Sequence, residues 1–152
     1  MKIITLYQPW ASWIALGWKT IETREHKRFM HLVGETIGIH ASQKWDKQWM
    51  NSLKYLTNEQ LQITQNLEEE FRAQESKVRG VILCTILAYY WAPLKATHSQ
   101  RALIDCGYTL RYGLFLKNPK FINPISCDGS QGIWYYDIPL QFRRLREAED
   151  ES

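Results

Sequence analysis

The sequence predicts an α+β domain in which five to six short strands form a small closed β-barrel, with helices inserted between them. Three observations lead there. Apolar β-type runs bounded by Gly and Pro recur along the whole chain. One segment carries a complete helix-start signal, Thr57 followed by Gln60, with a helical apolar repeat after it. The 152 residues, 45% hydrophobic and 23% charged, suit one domain with a sizeable core and exclude a disordered, collagen-like or coiled-coil chain.

The elements follow in order. Residues 2–7 read as a first strand with Ile3, Ile4 and Leu6 apolar. Gln8-Pro9-Trp10 ends it, and Pro9 suits the first position of a helix because its missing N–H costs nothing there. Trp10, Trp13 and Ile14 share one face of that short helix, and Gly17 can end it in the left-handed conformation. Residues 20–25 alternate as a strand, and 26–33 form a loop rich in basic residues and histidine. Residues 35–42 are again β-type, with Ile37, Ile39 and Ala41 on one face and Thr36, Gly38, His40 and Ser42 on the other.

Residues 45–54 look helical, and the Thr57–Gln60 capping box, stapled by Leu56 and Leu61, starts the next helix. Residues 79–91 are a long, very apolar β-type run, and 97–106 are weakly helical up to Gly107. Residues 113–116 and 120–125 read as two strands, or as one strand bent at Asn118-Pro119. Asp128-Gly129 is a turn, and 131–138 a final strand stopped by Pro139. The expected organisation is one domain over residues 1–140, with 45–75 as a helical insertion and 141–152 as a charged, frayed tail.

The net charge of +3 is unevenly spread. Residues 51–76 sum to −3 and the tail to −1, which leaves +3 on residues 1–50 and +4 on 77–142. A basic body suits a polyanionic partner, although charge alone equally describes a soluble protein with one acidic helix. The longest apolar run, residues 81–92, is shorter than the roughly 18 residues of a membrane span. The first residues do not form a signal peptide, and the three cysteines are odd in number and widely spaced. A cytoplasmic protein with free thiols is therefore expected, with no membrane association. The four histidines show no metal spacing with each other or with the cysteines, and there is no phosphate loop or dinucleotide fingerprint. No metal and no cofactor are expected.

The densest polar cluster lies in residues 17–24. On a strand, Thr20, Glu22 and Arg24 share a face, and Lys19 at the helix-to-strand junction can reach over either side. Arg can bind a phosphate or base edge bidentately, and Glu can accept from an exocyclic amine. On composition and spacing alone, an exposed strand with ordinary ion pairs is the commoner outcome. His40 points away from Ile37 and Ile39, as a hydrogen-bonded strand histidine or, less commonly, a ligand contact or proton shuttle. Ser42 and Lys44 could extend a phosphate-binding rim or simply end a solvated strand. Trp10, beside Gln8, is the best candidate for stacking on a base, with barrel-end packing as the alternative.

The motif Gly17-x-Lys19-x-x-Glu22-x-Arg24 resembles the signature of the ASCH family, small β-barrel domains related to the PUA fold. Gln8-Pro9-Trp10 is similar to that family's opening turn, Ile39-His40-Ala41-Ser42 to its third-strand motif, and Gly129-x-Gln131-Gly132-x-Trp134 to the closing turn of its phage and bacterial members. These motifs stand in the family's order and cover most of residues 3–137 apart from the helical segment 45–75. The resemblance implies RNA binding in a cleft between the signature strand and the neighbouring turn. One bacterial branch hydrolyses acetylcytidine with a Lys and a Thr three residues apart. Here Lys19 matches that Lys, but the Thr position is Glu22, so that branch's nucleophile is missing. Other members have been described as ribonucleases.

Two readings of function stand side by side. The first is a module binding RNA or single-stranded nucleic acid, which holds one nucleotide, modified or unmodified, in a cleft. Gln8, Trp10, Lys19, Glu22, Arg24, His40, Ser42 and Lys44 would line that cleft. The alternative is a hydrolase acting on a modified nucleoside or RNA, with Lys19 and Glu22 as its catalytic pair. A protein-interaction domain using the acidic helical pair is a third option.

Overall fold

In a computed structural model of the chain, residues 1–139 are described. The predicted tail and residue 140 lie outside them. Six strands form one mixed sheet: β1 (Lys2–Gln8), β2 (Ile21–Arg24), β3 (Thr36–Trp45), β4 (Val81–Pro93), β5 (Tyr112–Ser126) and β6 (Ile133–Tyr135). Their order across the sheet is β2-β5-β4-β3-β1-β6. β1 and β3 run parallel, and the other neighbours are antiparallel.

The expected barrel is not closed. Among the described residues β2 pairs only with β5 and β6 only with β1, so the two edges do not meet. The edge strands have four and three residues, too short to complete a ring of ladders. One face is covered by a helix instead: α1 (Trp10–Ala15) lies against β1, β3, β4 and β5. The long β4–β5 hairpin shifts register at three places, and such bulges bend and twist a ladder.

Alternation explains where the core sits. Ile3 faces a cluster with Ile82, Ile122, Ile125 and Ile138. Ile4 and Leu6 face the larger cluster with Ile14, Phe29, Ile37, Ile39 and Leu116. The side of β3 that carries Thr36, His40 and Ser42 meets the Ile3 cluster at Gly38, where a Cβ would stand 2.4 Å from Ile3 Cδ1, so no larger residue fits.

Local signals account for most boundaries. α1 ends in a Schellman motif: Gly17 has φ +83°, Trp18 N–H donates to the Trp13 carbonyl, and Gly17 N–H donates to that of Ile14. Pro9 precedes the helix as its N-cap instead of opening it. The Thr57–Gln60 capping box starts α2 (Asn58–Arg72) as expected. β3 runs on through Trp45, so the helix expected over 45–54 becomes a 3-10 segment, Lys47–Tyr55, capped by Asp46. The weak helix at 97–106 shrinks to α3 (Ser99–Ala102), because Leu103 takes φ +55° and ends it before Gly107. β5 is a single strand that carries Asn118 at φ +58°. The last strand is shorter than expected, since residues up to Gly132, at φ +71°, belong to the turn.

The helical segment after β3 packs on α1. Fully buried Trp13 gathers Trp49 and Leu103, with Trp45, Leu53, Leu56 and Leu61 around them. Its indole N–H donates to Thr64 Oγ1 at 3.0 Å. No helix among the described residues is long and apolar enough to cross a membrane.

Candidate functional site

The Schellman turn delivers Lys19 directly from the end of α1 into the start of β2. Lys19 is only 3% exposed. Its Nζ donates to the carbonyl of Ala102, the last residue of α3. Burial lowers the pKa of its ammonium, and the nearby negative charge of Glu22 partly opposes this. Nζ also lies 5.6 Å from the centre of the Trp10 ring.

Glu22 sits three residues on, and β5 covers it by pairing with it through Leu114. It is 5% exposed. Oε1 is 3.5 Å from the Arg24 guanidinium, while Oε2 is buried without a hydrogen-bond partner. Arg24, more open, lies 4.8 Å above the ring of Phe29. The commoner expectation for this strand, a solvated face, is thus not what the molecule has. β2 is an edge strand, yet Ile21, Glu22 and Thr23 are all buried.

Lys19, Glu22 and Arg24 line a cleft of about 1060 Å³, which Trp10, His40, Ser42 and Lys44 also border. Seven of the eight expected site residues therefore come together. The exception is Gln8, which is fully buried and turned inward. Its Oε1 accepts from Ser12 N–H at 2.9 Å, and its Nε2 donates to Ser12 Oγ at 2.7 Å and to the Val78 carbonyl at 2.9 Å. With no capping side chain at Pro9, Gln8 satisfies one of the free N–H groups at the start of α1. Its role is structural.

The other end of the cleft is built differently. His40 is 2% exposed. Its Nε2 is 2.8 Å from the Cys127 carbonyl, which only accepts, so Nε2 carries the proton. Nδ1 then accepts from the Thr5 hydroxyl at 3.3 Å, and Thr5 Oγ1 accepts from the Trp134 indole N–H at 2.9 Å. Burial lowers the His40 pKa and keeps the ring neutral, while the Cys127 hydrogen bond and the charge of Asp128 oppose that shift. Gly129 packs so closely that a Cβ would meet His40 Cε1 at 2.6 Å and Thr5 Oγ1 at 2.8 Å. The Asp128-Gly129 turn is therefore held against His40. At the rim, Ser42 Oγ accepts from Lys44 N–H, and Lys44 Nζ lies 5.6 Å from the centre of the Tyr7 ring.

Trp10 is fixed by donating from its indole to Asp46 Oδ2 at 3.0 Å and by its edge contact with Trp13. Sequence reasoning missed Arg28, Tyr108, Arg111 and Asp128, which also line the cleft. The available signal was the Gly107–Arg111 loop, whose Tyr108 is 87% exposed. Among the described residues no three His, Cys, Asp or Glu side chains gather as a metal site.

No family model matches the sequence. Solved structures do match the fold. The ASCH protein from Zymomonas mobilis superposes with a TM-score of 0.53 at 12% identity, over 95% of this chain and 92% of that one. This chain has the ASCH fold. A Tyr-to-Phe mutant of the same Zymomonas mobilis protein gives 0.52 at 12% identity, over 95% and 94% of the two chains. A Ser-to-Ala mutant gives 0.51 at 13% identity, over 97% and 94%. The ASCH fold implied by the sequence motifs is thus the fold found by superposition, without the closed barrel expected alongside it. Lys19, Glu22 and Arg24, the residues of the motif that resembles the ASCH signature, line the same cleft.

Proposed function

We propose that this chain binds RNA or another single-stranded nucleic acid and holds one nucleotide in the cleft beside Lys19, Glu22 and Arg24. The ASCH fold fits a nucleic-acid-binding module in general. The observation that carries the finer reading is Glu22 Oε2, a buried carboxylate oxygen with no partner, on a residue that lines an open cleft. An unsatisfied buried acceptor is costly, and a ligand N–H donor would complete it. The exocyclic amine of a base is such a donor. Arg24 and Lys19 supply positive charge for phosphate or base oxygen, and Trp10 offers a ring at the same wall. The three free cysteines suit a reducing compartment, consistent with a cytoplasmic site of action.

The test is a titration with the four ribonucleoside monophosphates. Cytidine, adenosine and guanosine forms bind more tightly than uridine, and Glu22→Gln removes that preference. Equal affinity for all four, unchanged in the variant, would overturn the reading.

One observation favours a second reading, hydrolysis of a modified nucleoside or RNA. Lys19 is a buried amine with a lowered pKa, three residues from a buried carboxylate, and such pairs suit proton transfer. Turnover of acetylated nucleosides or of an RNA strand, lost in Glu22→Gln with binding retained, separates it from the first.

A further inference from the structure

Charge along the second half of the chain is lopsided. From residue 77 to 127 there are seven Lys and Arg and one acidic residue, Asp105. That single carboxylate is already engaged by Lys54 and Tyr55. These residues include the β4–β5 hairpin, where the basic side chains meet aromatic ones. Tyr90 is 53% exposed, with its ring 5.2 Å from that of buried Phe115. Lys117 Nζ lies 4.7 Å over the Tyr89 ring. The Arg101 guanidinium lies 5.1 Å from the Phe115 centre and donates to the Tyr89 hydroxyl at 3.0 Å.

This platform adjoins the cleft through two chain crossings. Lys19 Nζ donates to the Ala102 carbonyl, while Arg101, one residue earlier, donates to Thr20 Oγ1 at 3.1 Å, one residue later. Thr20 N–H also donates to the Arg101 carbonyl at 2.9 Å. Lys19 belongs to the cleft wall, and Arg101 belongs to the platform. The two surfaces are therefore separated by a single pair of crossing residues.

We propose that the Tyr89, Tyr90, Arg101 and Lys117 surface is a second nucleic-acid site, which takes the nucleotides flanking the one held in the cleft. It rests on the nucleic-acid reading of the cleft but uses none of its residues. The physical case has two parts. An exposed aromatic ring, Tyr90, beside a Tyr89–Phe115 pair that carries two cations, with no free acidic neighbour along 77–127, matches a base on a phosphate backbone, because every base has a face to stack and every phosphate a charge to meet. Phe115, buried beneath Tyr90, holds the exposed ring at a fixed edge-on angle of 72°, so little side-chain freedom is lost on stacking.

The experiment uses the full chain, a fluorescent RNA strand of about twelve nucleotides, the same strand as DNA, and a nucleoside monophosphate. Tyr90→Ala weakens strand binding about tenfold, Tyr90→Phe restores it, and neither changes monophosphate binding. Lys117→Gln lowers the slope of log affinity against log salt by about 0.7. RNA and DNA arms that respond alike assign the platform to bases and phosphates in general, and a larger RNA effect assigns it to RNA. Strand affinity that is unchanged in Tyr90→Ala and Lys117→Gln overturns the platform and leaves the cleft standing. Strand binding that depends on Tyr90 without any monophosphate binding keeps the platform and overturns the cleft. Capture of an acidic peptide in place of either strand also overturns it.

Discussion

The two ends of the cleft bury polar groups to similar depth and treat them in opposite ways. At one end His40, Thr5 and Trp134 form a chain in which the indole, the hydroxyl and both ring nitrogens have partners. At the other, Lys19 is held by a carbonyl, but Glu22 keeps one buried oxygen free. A satisfied buried network rigidifies a fold, whereas an unsatisfied one has to be explained. The comparison teaches that burial of polar residues alone does not mark a site. What sets Glu22 apart is a missing partner on a side chain that lines the cleft. On that ground His40 is assigned to holding the Asp128-Gly129 turn, and Glu22 is the residue we propose to receive the ligand.

The harshest way to break this distinction is His40→Ala. It empties a buried space and strands Thr5 Oγ1 and the Cys127 carbonyl. The expected cost is about 2–4 kcal/mol of folding stability, read as a lower midpoint in urea or heat unfolding. Trp134→Phe, which removes the donor and part of a partly buried ring system, costs about 1–3 kcal/mol. If both variants match the wild type, the network is not structural and His40 returns as a candidate ligand contact.

Glu22→Gln probes the other end. Stability stays within about 1 kcal/mol, because the change removes a buried charge and not a packed volume. Nucleotide affinity falls by about 1–3 kcal/mol if Glu22 accepts from the base. If the chain is a hydrolase, binding holds and turnover falls roughly a hundredfold or more. Lys19→Met keeps the stem and deletes the desolvated ammonium. The expected result is weaker ligand binding, and a double variant no worse than the worse single would place both residues in one unit. Intact binding and unchanged turnover in both variants would refute this site.

Much of this was legible in the sequence, for identifiable reasons. The Thr57–Gln60 box and Gly17 encode their structures through local hydrogen bonds and a positive φ, so the chain states them without help from tertiary context. The motif Gly17-x-Lys19-x-x-Glu22-x-Arg24 does bring its charged residues to one cleft. The depth of Glu22 was not legible, because it depends on β5 lying against β2, a pairing between residues about ninety apart in sequence. The inward turn of Gln8 is hidden from the sequence for a similar reason, since its partner Val78 lies 70 residues away. The open sheet escaped notice for the same reason. Alternation shows that a strand exists, and says nothing of whether the two edge strands meet.

The smallest expected effect is a pH dependence that belongs to the His40 end. Burial lowers the pKa of His40 from its ordinary value of 6.5. Between the folded value and 6.5 the unfolded chain binds more protons than the folded one, so stability rises with pH across that window. Acidification from neutral pH therefore lowers stability as the pH passes below 6.5. The loss levels off once the folded-state value is passed. His26 shifts the same way, through slight burial and then the charges of Arg28 and Arg24, so the wild-type slope alone does not isolate His40. The difference between wild type and His40→Gln does, since His26 is common to both. That difference shrinks on acidification if His40 is the buried neutral member of a satisfied network. A difference that stays flat from neutral pH down to mild acid would mean that His40 is solvated in solution, and the contrast between the two ends of the cleft would be lost.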